Sequence, residues 1–221
     1  MIQYLNVLKE KQVDGIIFTS KPITIEYYQI FKTIGVPIVL AATESLEYEL
    51  PSVKIHDEKA AYDATIYLIE KGHENIGMIS GPTTDTIAGF PRLMGFKQAL
   101  KEKLDIDVVD DLIEFGNYQF DDGYRGMEKL LTKNSDLTAV FCASDEMALG
   151  ALTYLNECGL KVPEDFSVMG FDDTKIAKMS IPKLTTVAQP ISEIGKLACQ
   201  KLIKKINSED VGELRTYLDH Q

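Results

Sequence analysis

The sequence predicts an α/β fold built on parallel β-sheet. Short apolar runs alternate along the chain with helical patterns of ten or more residues, which is typical of βαβ units. Helix ends are also marked: Pro22 and Pro190 suit first turns, while Gly35, Gly72 and Gly159 suit the position just after a last turn. A third observation is a strand that runs directly into a helix.

That strand is predicted over residues 138–142, and its residues Val140, Phe141 and Cys142 are typical of a strand buried on both faces. Ser144 or Asp145 suits the cap of the helix that follows, because a side-chain oxygen there accepts a backbone N–H and negative charge is favourable at that helix end. The turn between strand and helix lies at the carboxyl end of the strand, where open α/β sheets bind ligands.

The remaining elements follow the same alternation. We expect helices over residues 1–12, 22–34, 57–71, 91–104, 121–131 and 145–158, and from residue 190 onward. We expect strands over residues 13–20, 36–40, 75–80, 112–115, 138–142, 166–171 and 214–218. Two extended pieces, residues 52–55 and 184–188, lack this rhythm and are predicted to mark crossings between two lobes.

The composition is that of a globular protein. The chain has 221 residues, 45% hydrophobic and 26% charged, which is enough for one large domain or two small lobes. No apolar run approaches the roughly 18 residues of a membrane span, and no export signal is visible. The three cysteines have no paired spacing, so we expect reduced thiols and a cytoplasmic location without membrane contact. The three histidines lie far apart and predict no metal site.

The net charge of −11 restricts the partners of the chain. An acidic surface repels the phosphates of nucleic acid, so these residues are not expected to grip DNA or RNA by themselves.

Polar residues follow the predicted strands. A parallel sheet directs its carboxyl ends to one edge, so these residues are expected to meet around one crevice. Taken singly, each is better explained as a helix cap or a turn former, and only their coincidence favours binding. The residues are Ser20, Ser80, Asn117, Tyr118, Ser144, Asp145, Asp172 and Asp173.

Three side chains carry the chemistry of the predicted crevice. The Arg92 guanidinium can hold two sugar hydroxyls or a carboxylate, and the alternative is a solvated surface arginine. The Tyr118 ring can close on the flat face of a ligand, or be an ordinary half-buried tyrosine. Asp172 can accept hydroxyl hydrogens while Asp173 caps the turn, although a turn with no ligand role explains both nearly as well.

Signatures of catalysis are sparse. The sequence has no phosphate loop, no Gly-x-Gly-x-x-Gly after the first strand, no nucleophile elbow and no histidine placed beside a nucleophile. We therefore expect a protein that is not an enzyme and needs no cofactor, and an α/β enzyme is the weakest alternative.

Several motifs in order resemble the lac repressor/galactose repressor family of bacterial transcription regulators. The resemblance covers nearly the whole chain, and ordered motifs are more specific than any single one. The longer motifs are residues 143–150, 162–173 and 182–190, and the shorter ones are residues 13–17, 72–76 and 92–96.

This resemblance implies two Rossmann-like lobes with a periplasmic-binding-protein-like fold, the N-terminal lobe being incomplete in this chain. It implies crossings near residues 53–57 and 188–190. The lobes are then residues 1–55 with 190–210, and residues 56–188 with 211–221. The implied effector contacts are Ser20, Arg92, Tyr118, Ser144, Asp172 and Gln189.

The resemblance also implies a function. The family joins a helix-turn-helix headpiece to such lobes, and this chain begins at a helix instead, so the DNA-reading part is expected to lie elsewhere. Ser144 replaces the amide often found there, and Ala41–Ala42 replaces an acidic residue of the lac repressor. We expect the effector-binding and dimerisation region of a repressor that senses a sugar or sugar derivative as a homodimer and binds operator DNA through the headpiece.

Two variants remain open. One is a transport-type sugar-binding protein of the same fold. The other is a catabolite-control regulator whose partner is a phosphorylated carrier protein.

Overall fold

The structure, a computed structural model, describes residues 2–19, 21–107 and 110–221. It divides the chain into two compact units. Unit 1 comprises the residues up to His56 together with Pro190–Asp219, and unit 2 comprises Asp57–Gln189 together with His220 and Gln221. No helix in the described ranges is long and apolar enough to cross a membrane.

Helices and strands alternate along most of the chain. The helices are α1 (Ile2–Glu10), α2 (Ile25–Ile34), α3 (Asp57–Glu70), α4 (Gly89–Leu104), α5 (Phe120–Lys133), α6 (Asp145–Glu157), α7 (Lys175–Met179) and α8 (Ile191–Ile206). The strands are β1 (Ile16–Thr19), β2 (Ile38–Ala41), β3 (Ser52–Ile55), β4 (Ile76–Ser80), β5 (Ile113–Phe115), β6 (Ala139–Cys142), β7 (Ser167–Asp172), β8 (Thr185–Ala188) and β9 (Arg215–Leu218).

Unit 1 contains a four-stranded parallel sheet in the order β1-β2-β3-β9. Helix α2 has a defined start and end, because the Thr24 hydroxyl accepts the Tyr27 N–H and Gly35 ends the helix at φ 75°. Its buried residue Phe31 packs edge-on against Phe18 of β1, with ring centroids 5.3 Å apart. Local capping and apolar packing therefore fix this helix on its sheet.

The assignment of the last strand corrects the sequence interpretation. Residues 211–221 were expected in the second lobe, but β9 pairs in parallel with β3, from Ser52 opposite Arg215 to Ile55 opposite Leu218. The expectation was wrong for residues 211–219, which belong to unit 1, whereas His220 and Gln221 belong to unit 2. The residues of a strand predict that it is extended and not which sheet it joins. The two extended pieces expected at crossings are strands β3 and β8.

Unit 2 contains a five-stranded parallel sheet in the order β5-β4-β6-β7-β8. Every residue of β4 and β6 is buried, as expected for central strands of a parallel sheet covered on both faces. The strand order reverses between β4 and β6, since β5 lies on one side of β4 and all later strands lie on the other. Open α/β sheets bind ligands at such a reversal point.

Glycines allow the helices of unit 2 to pack closely in pairs. A Cβ on Gly95 of α4 would lie 2.0 Å from the carbonyl oxygen of Glu58 in α3. A Cβ on Gly123 of α5 would lie 1.9 Å from the carbonyl oxygen of Met147 in α6. Helix α6 begins directly after β6, so this contact also fixes the helix end that borders the predicted crevice.

Candidate ligand-binding site

Predicted site residues meet at the carboxyl edge of the unit 2 sheet. Arg92, Asp172 and Gln189 form one group of contacts, and Ser144 with the Tyr118 carbonyl forms a second. The two groups meet at Ala143, whose carbonyl accepts a hydrogen bond from Arg92 and which precedes Ser144 in the chain. Ser20, the sixth predicted residue, lies outside the described residues, so its predicted contact stays a prediction.

Arg92 is the centre of this network. It is only 5% exposed, so the alternative of a solvated surface arginine is wrong. Its Nε and Nη2 donate to Asp57 Oδ1 over 2.9 and 2.7 Å, and its Nη1 donates to the Ala143 carbonyl over 2.7 Å. The guanidinium also stacks on the Phe171 ring, 3.5 Å from the centroid. The turn after β6, the end of β7 and the start of α3 thus hold one planar donor group in a fixed orientation.

The fixed guanidinium retains donors for a ligand. A guanidinium carries five N–H groups, and in the described part of the chain three of those of Arg92 bind Asp57 and Ala143. One N–H on each terminal nitrogen remains, and Nη2 lies 3.8 Å from Asp172 Oδ1. Two donors beside a carboxylate acceptor match the adjacent hydroxyls of a sugar, each of which both donates and accepts.

Asp172 supplies that acceptor at the end of β7. Its Oδ1 accepts a hydrogen bond from Gln189 Nε2 over 2.7 Å. Burial raises the pKa of the Asp172 carboxyl, and Arg92 and Gln189 only partly oppose this shift. Asp172 and Asp173 have φ values of 111° and 50°, which are unusual for residues other than glycine. Such backbone strain persists where the surroundings fix the conformation, often at functional sites.

Asp145 is one cause of that conformation. It is 1% exposed and accepts the Thr174 backbone N–H over 2.6 Å and the Thr174 hydroxyl over 2.8 Å. It also accepts the Thr186 hydroxyl on β8. The carboxylate therefore holds the loop that carries Asp172, a role beyond the helix cap expected from the sequence.

Tyr118 contacts a second carboxylate. Its hydroxyl donates to Asp85 Oδ2 over 2.5 Å, and burial together with Asp85 raises the pKa of Tyr118, so the phenol stays protonated. Burial acts to raise the pKa of Asp85, but the bonds from Tyr118 and from the backbone N–H groups of Ile87 and Ala88 outweigh it and hold this pKa below its ordinary value. The Tyr118 ring is thus held half-buried beside the loop before α4.

Ser144 has the local role that the sequence predicted. Its Oγ accepts the Met147 backbone N–H over 3.2 Å as the cap of α6. The same hydroxyl donates to the Tyr118 carbonyl over 3.3 Å. Ser80, another predicted strand-end residue, is fully buried, and its hydroxyl has no hydrogen-bond partner within the described residues.

Sequence reasoning missed Asp57 and Asp85 as members of the site. Asp57 was interpreted only as the start of α3, and Asp85 only as part of a polar loop. Their partners lie 35 and 33 residues away, and no local pattern pairs residues over that distance. Among the residues that the structure describes, no group of histidine, cysteine or acidic side chains could hold a metal ion.

Comparison with known proteins agrees with this fold. The family described as "Periplasmic binding protein-like domain" matches residues 65–218. The chain is 40% identical to catabolite control protein A of Priestia megaterium over 220 residues, which are 100% of this chain and 66% of that protein. The crystal structure of the transcription regulator CcpA of Lactococcus lactis superposes with a TM-score of 0.91 at 32% identity, over 100% of this chain and 80% of that one.

The chain belongs to the lac repressor/galactose repressor family. The predicted α/β, periplasmic-binding-protein-like fold and the predicted family resemblance are both confirmed. Another family member, the transcriptional regulator CelR in complex with cellobiose, has a TM-score of 0.90 at 32% identity, over 100% of this chain and 67% of that one. The chain spans just under two thirds of the length of catabolite control protein A, at 66%.

Proposed function

We propose that this chain is the effector-sensing region of a transcriptional repressor, and that its effector is a sugar or sugar derivative. The observation that carries the proposal is the fixed pair of Arg92 donors beside the Asp172 carboxylate. Gln189 donates to the Asp172 carboxylate. Ser144 follows Ala143, whose carbonyl accepts a hydrogen bond from Arg92, and the Ser144 hydroxyl donates to the Tyr118 carbonyl. The cellobiose complex of CelR supports the sugar class.

The proposed mechanism is a shift in population. An effector that binds one conformation of the regulator more tightly increases the share of that conformation. Operator affinity then changes by the same coupling free energy, because coupling between two binding sites is reciprocal. In this proposal, the regulator binds operator DNA through a helix-turn-helix headpiece. It binds its ligands without catalysing a reaction, and it acts in the cytoplasm.

Two neighbouring aspartates test the proposed site. Asp172→Asn is expected to weaken the binding of the preferred sugar by about tenfold or more, because hydrogen bonds to a charged group contribute roughly 1.5–3 kcal/mol. Asp173→Asn is the control, since its carboxylate pairs with Lys178 at 2.8 Å. Asparagine is chosen because it tolerates positive φ at both positions. Calorimetric titration with glucose, ribose and cellobiose measures the effect.

Two outcomes contradict the proposal. One is that none of the neutral sugars binds. The other is that Asp172→Asn binds the preferred sugar as tightly as the Asp173→Asn control does.

We also propose that the protein is a homodimer that uses the segment after α7. Ile181 is 97% exposed and Met179 is 78% exposed, and adjacent exposed apolar side chains mark interaction surfaces.

Ile181→Asp is expected to raise the dimer dissociation constant by about tenfold or more, since a buried unpaired charge disfavours association. Light scattering during gel filtration measures the oligomeric state. Leu46→Asp, at a side chain 79% exposed in unit 1, is the control, and an equal effect of both variants would refute this interface.

The catabolite-control variant keeps the support of two relatives that are named catabolite control protein A. It differs from the proposal only in adding a phosphorylated carrier protein as partner. If this protein captures such a carrier, the catabolite-control variant is supported. If it does not, the proposal without a carrier protein is supported.

A further inference from the structure

The predicted crevice edge of unit 2 is strongly acidic. Asp57, Asp85 and Asp172 belong to the network that contains one cation, Arg92. Burial raises the pKa of Asp172, but the pKa of Asp85 lies below its ordinary value and its carboxyl is ionised at neutral pH.

Two of the other cations near this edge are paired with acidic side chains. Arg125 lies 3.2 Å from Asp122, and Lys178 lies 2.8 Å from Asp173. These pairs leave no excess of positive charge among them, so they do not balance the carboxylates of the Arg92 network.

Helix N-termini at this edge also carry carboxylates of the chain itself. Such termini are the common binding sites for phosphate groups, because their backbone N–H groups are free and the helix dipole is positive there. Helix α3 begins with Asp57, α6 begins with Asp145, and Asp122 lies in the first turn of α5.

Helix α4 also has a carboxylate at its N-terminus, but this carboxylate belongs to the loop before the helix. It has no acidic residue in its first turn, but Asp85 of the preceding loop accepts the N–H groups of Ile87 and Ala88 just before the helix begins. Each of the four helices α3 to α6 therefore has a carboxylate where a ligand phosphate would otherwise bind.

From this charge pattern we infer that the effector is an uncharged sugar, and that the unit 2 wall discriminates against phosphorylated and carboxylated sugars. This inference rests on the proposed function, because it names the class of ligand for the same site. A sugar phosphate would bring further negative charge next to Asp172 and Asp85, whereas the hydroxyls of a neutral sugar match the Arg92 donors and the Asp172 acceptor.

Matched pairs of sugars test the inference on the whole chain. The pairs are glucose with glucose 6-phosphate, ribose with ribose 5-phosphate, and cellobiose with its 6′-phosphate. An acetyl ester at the same position of each sugar adds bulk without charge. For the pair whose neutral member binds, we expect the acetyl ester to retain most of the affinity and the phosphate to bind about tenfold or more weakly.

Charge variants of the protein sharpen this test. The dissociation constant of the phosphorylated sugar, divided by that of its neutral partner, gives a ratio that measures the discrimination. This ratio is expected to fall in Asp172→Asn and at high salt, which screens charge. Asp136→Asn is the control, because this exposed residue precedes β6 and lies at the opposite edge of the sheet. Its ratio is expected to equal that of the unaltered chain.

The outcomes separate this inference from the proposed function. A phosphorylated sugar that binds as tightly as its neutral partner overturns the inference and leaves the sensor function intact. An acetyl ester that binds as weakly as the phosphate also overturns it, because size would then be the cause. If no sugar of any kind binds, both the proposed function and the inference fail.

Discussion

Replacing Asp57 by asparagine is expected to lower the free energy of unfolding by about 3 kcal/mol, because removing one partner of a buried ion pair leaves the other charge uncompensated. Asp57 and Arg92 are each only 5% exposed, and the two Arg92 nitrogens that donate to Asp57 lose their charged acceptor. Urea unfolding, followed by the circular dichroism of the helices, measures the change in the free energy of unfolding.

Two further variants identify the cause. Glu70→Gln removes a carboxylate from an exposed position of the same helix and is expected to change stability by less than about 0.5 kcal/mol. The double variant Asp57→Asn with Arg92→Met is expected to recover part of the loss, since the buried guanidinium that lost its charged acceptor is then removed. Equal urea midpoints for Asp57→Asn and Glu70→Gln would show that the ion pair does not stabilise unit 2.

Gly123→Ala is expected to destabilise the protein by about 3 kcal/mol, at the upper end of the usual cost of overpacking. The added Cβ would lie 1.9 Å from a backbone oxygen of α6, so the two helices must move apart. For a domain of this size, such a loss lowers the melting temperature by roughly 6–12 °C. Thermal unfolding monitored by circular dichroism measures it.

The same substitution in open space provides the matched control. Gly195 lies inside α8, and a Cβ there would have no atom within 4 Å. Gly195→Ala is expected to stabilise the protein by about 0.5–1 kcal/mol, because alanine favours the helix over glycine. If both variants lowered the melting temperature equally, close helix contact would not be the cause.

Local patterns predicted the elements well, and long-range partners poorly. The cap at Ser144 and the strand Ala139–Cys142 depend on a few adjacent residues, so the sequence contains the required information. The pairing of β9 with β3 depends on residues more than 150 positions apart, and an isolated apolar strand can join either sheet.

The candidate site shows the same limit. Parallel strands bring their carboxyl ends together, so Tyr118, Ser144 and Asp172 could be placed at one edge from their positions after strands. What the sequence could not supply is the set of tertiary pairs, such as Asp57 with Arg92. Because the sequence does not reveal Asp57 as the partner of Arg92, it could not show whether Arg92 is buried or exposed on the surface.

The two units differ in how they are distributed along the chain, which bears on the order of their folding during synthesis. The ribosome completes Asp57–Gln189 of unit 2 before it makes α8, which packs on β1, β2 and β3 of unit 1. Domains generally fold as units while the chain is being made, so unit 2 acquires its core first. In the nascent first half of unit 1, the face of the strands that α8 later covers must wait uncovered, and it is the surface that a chaperone would encounter.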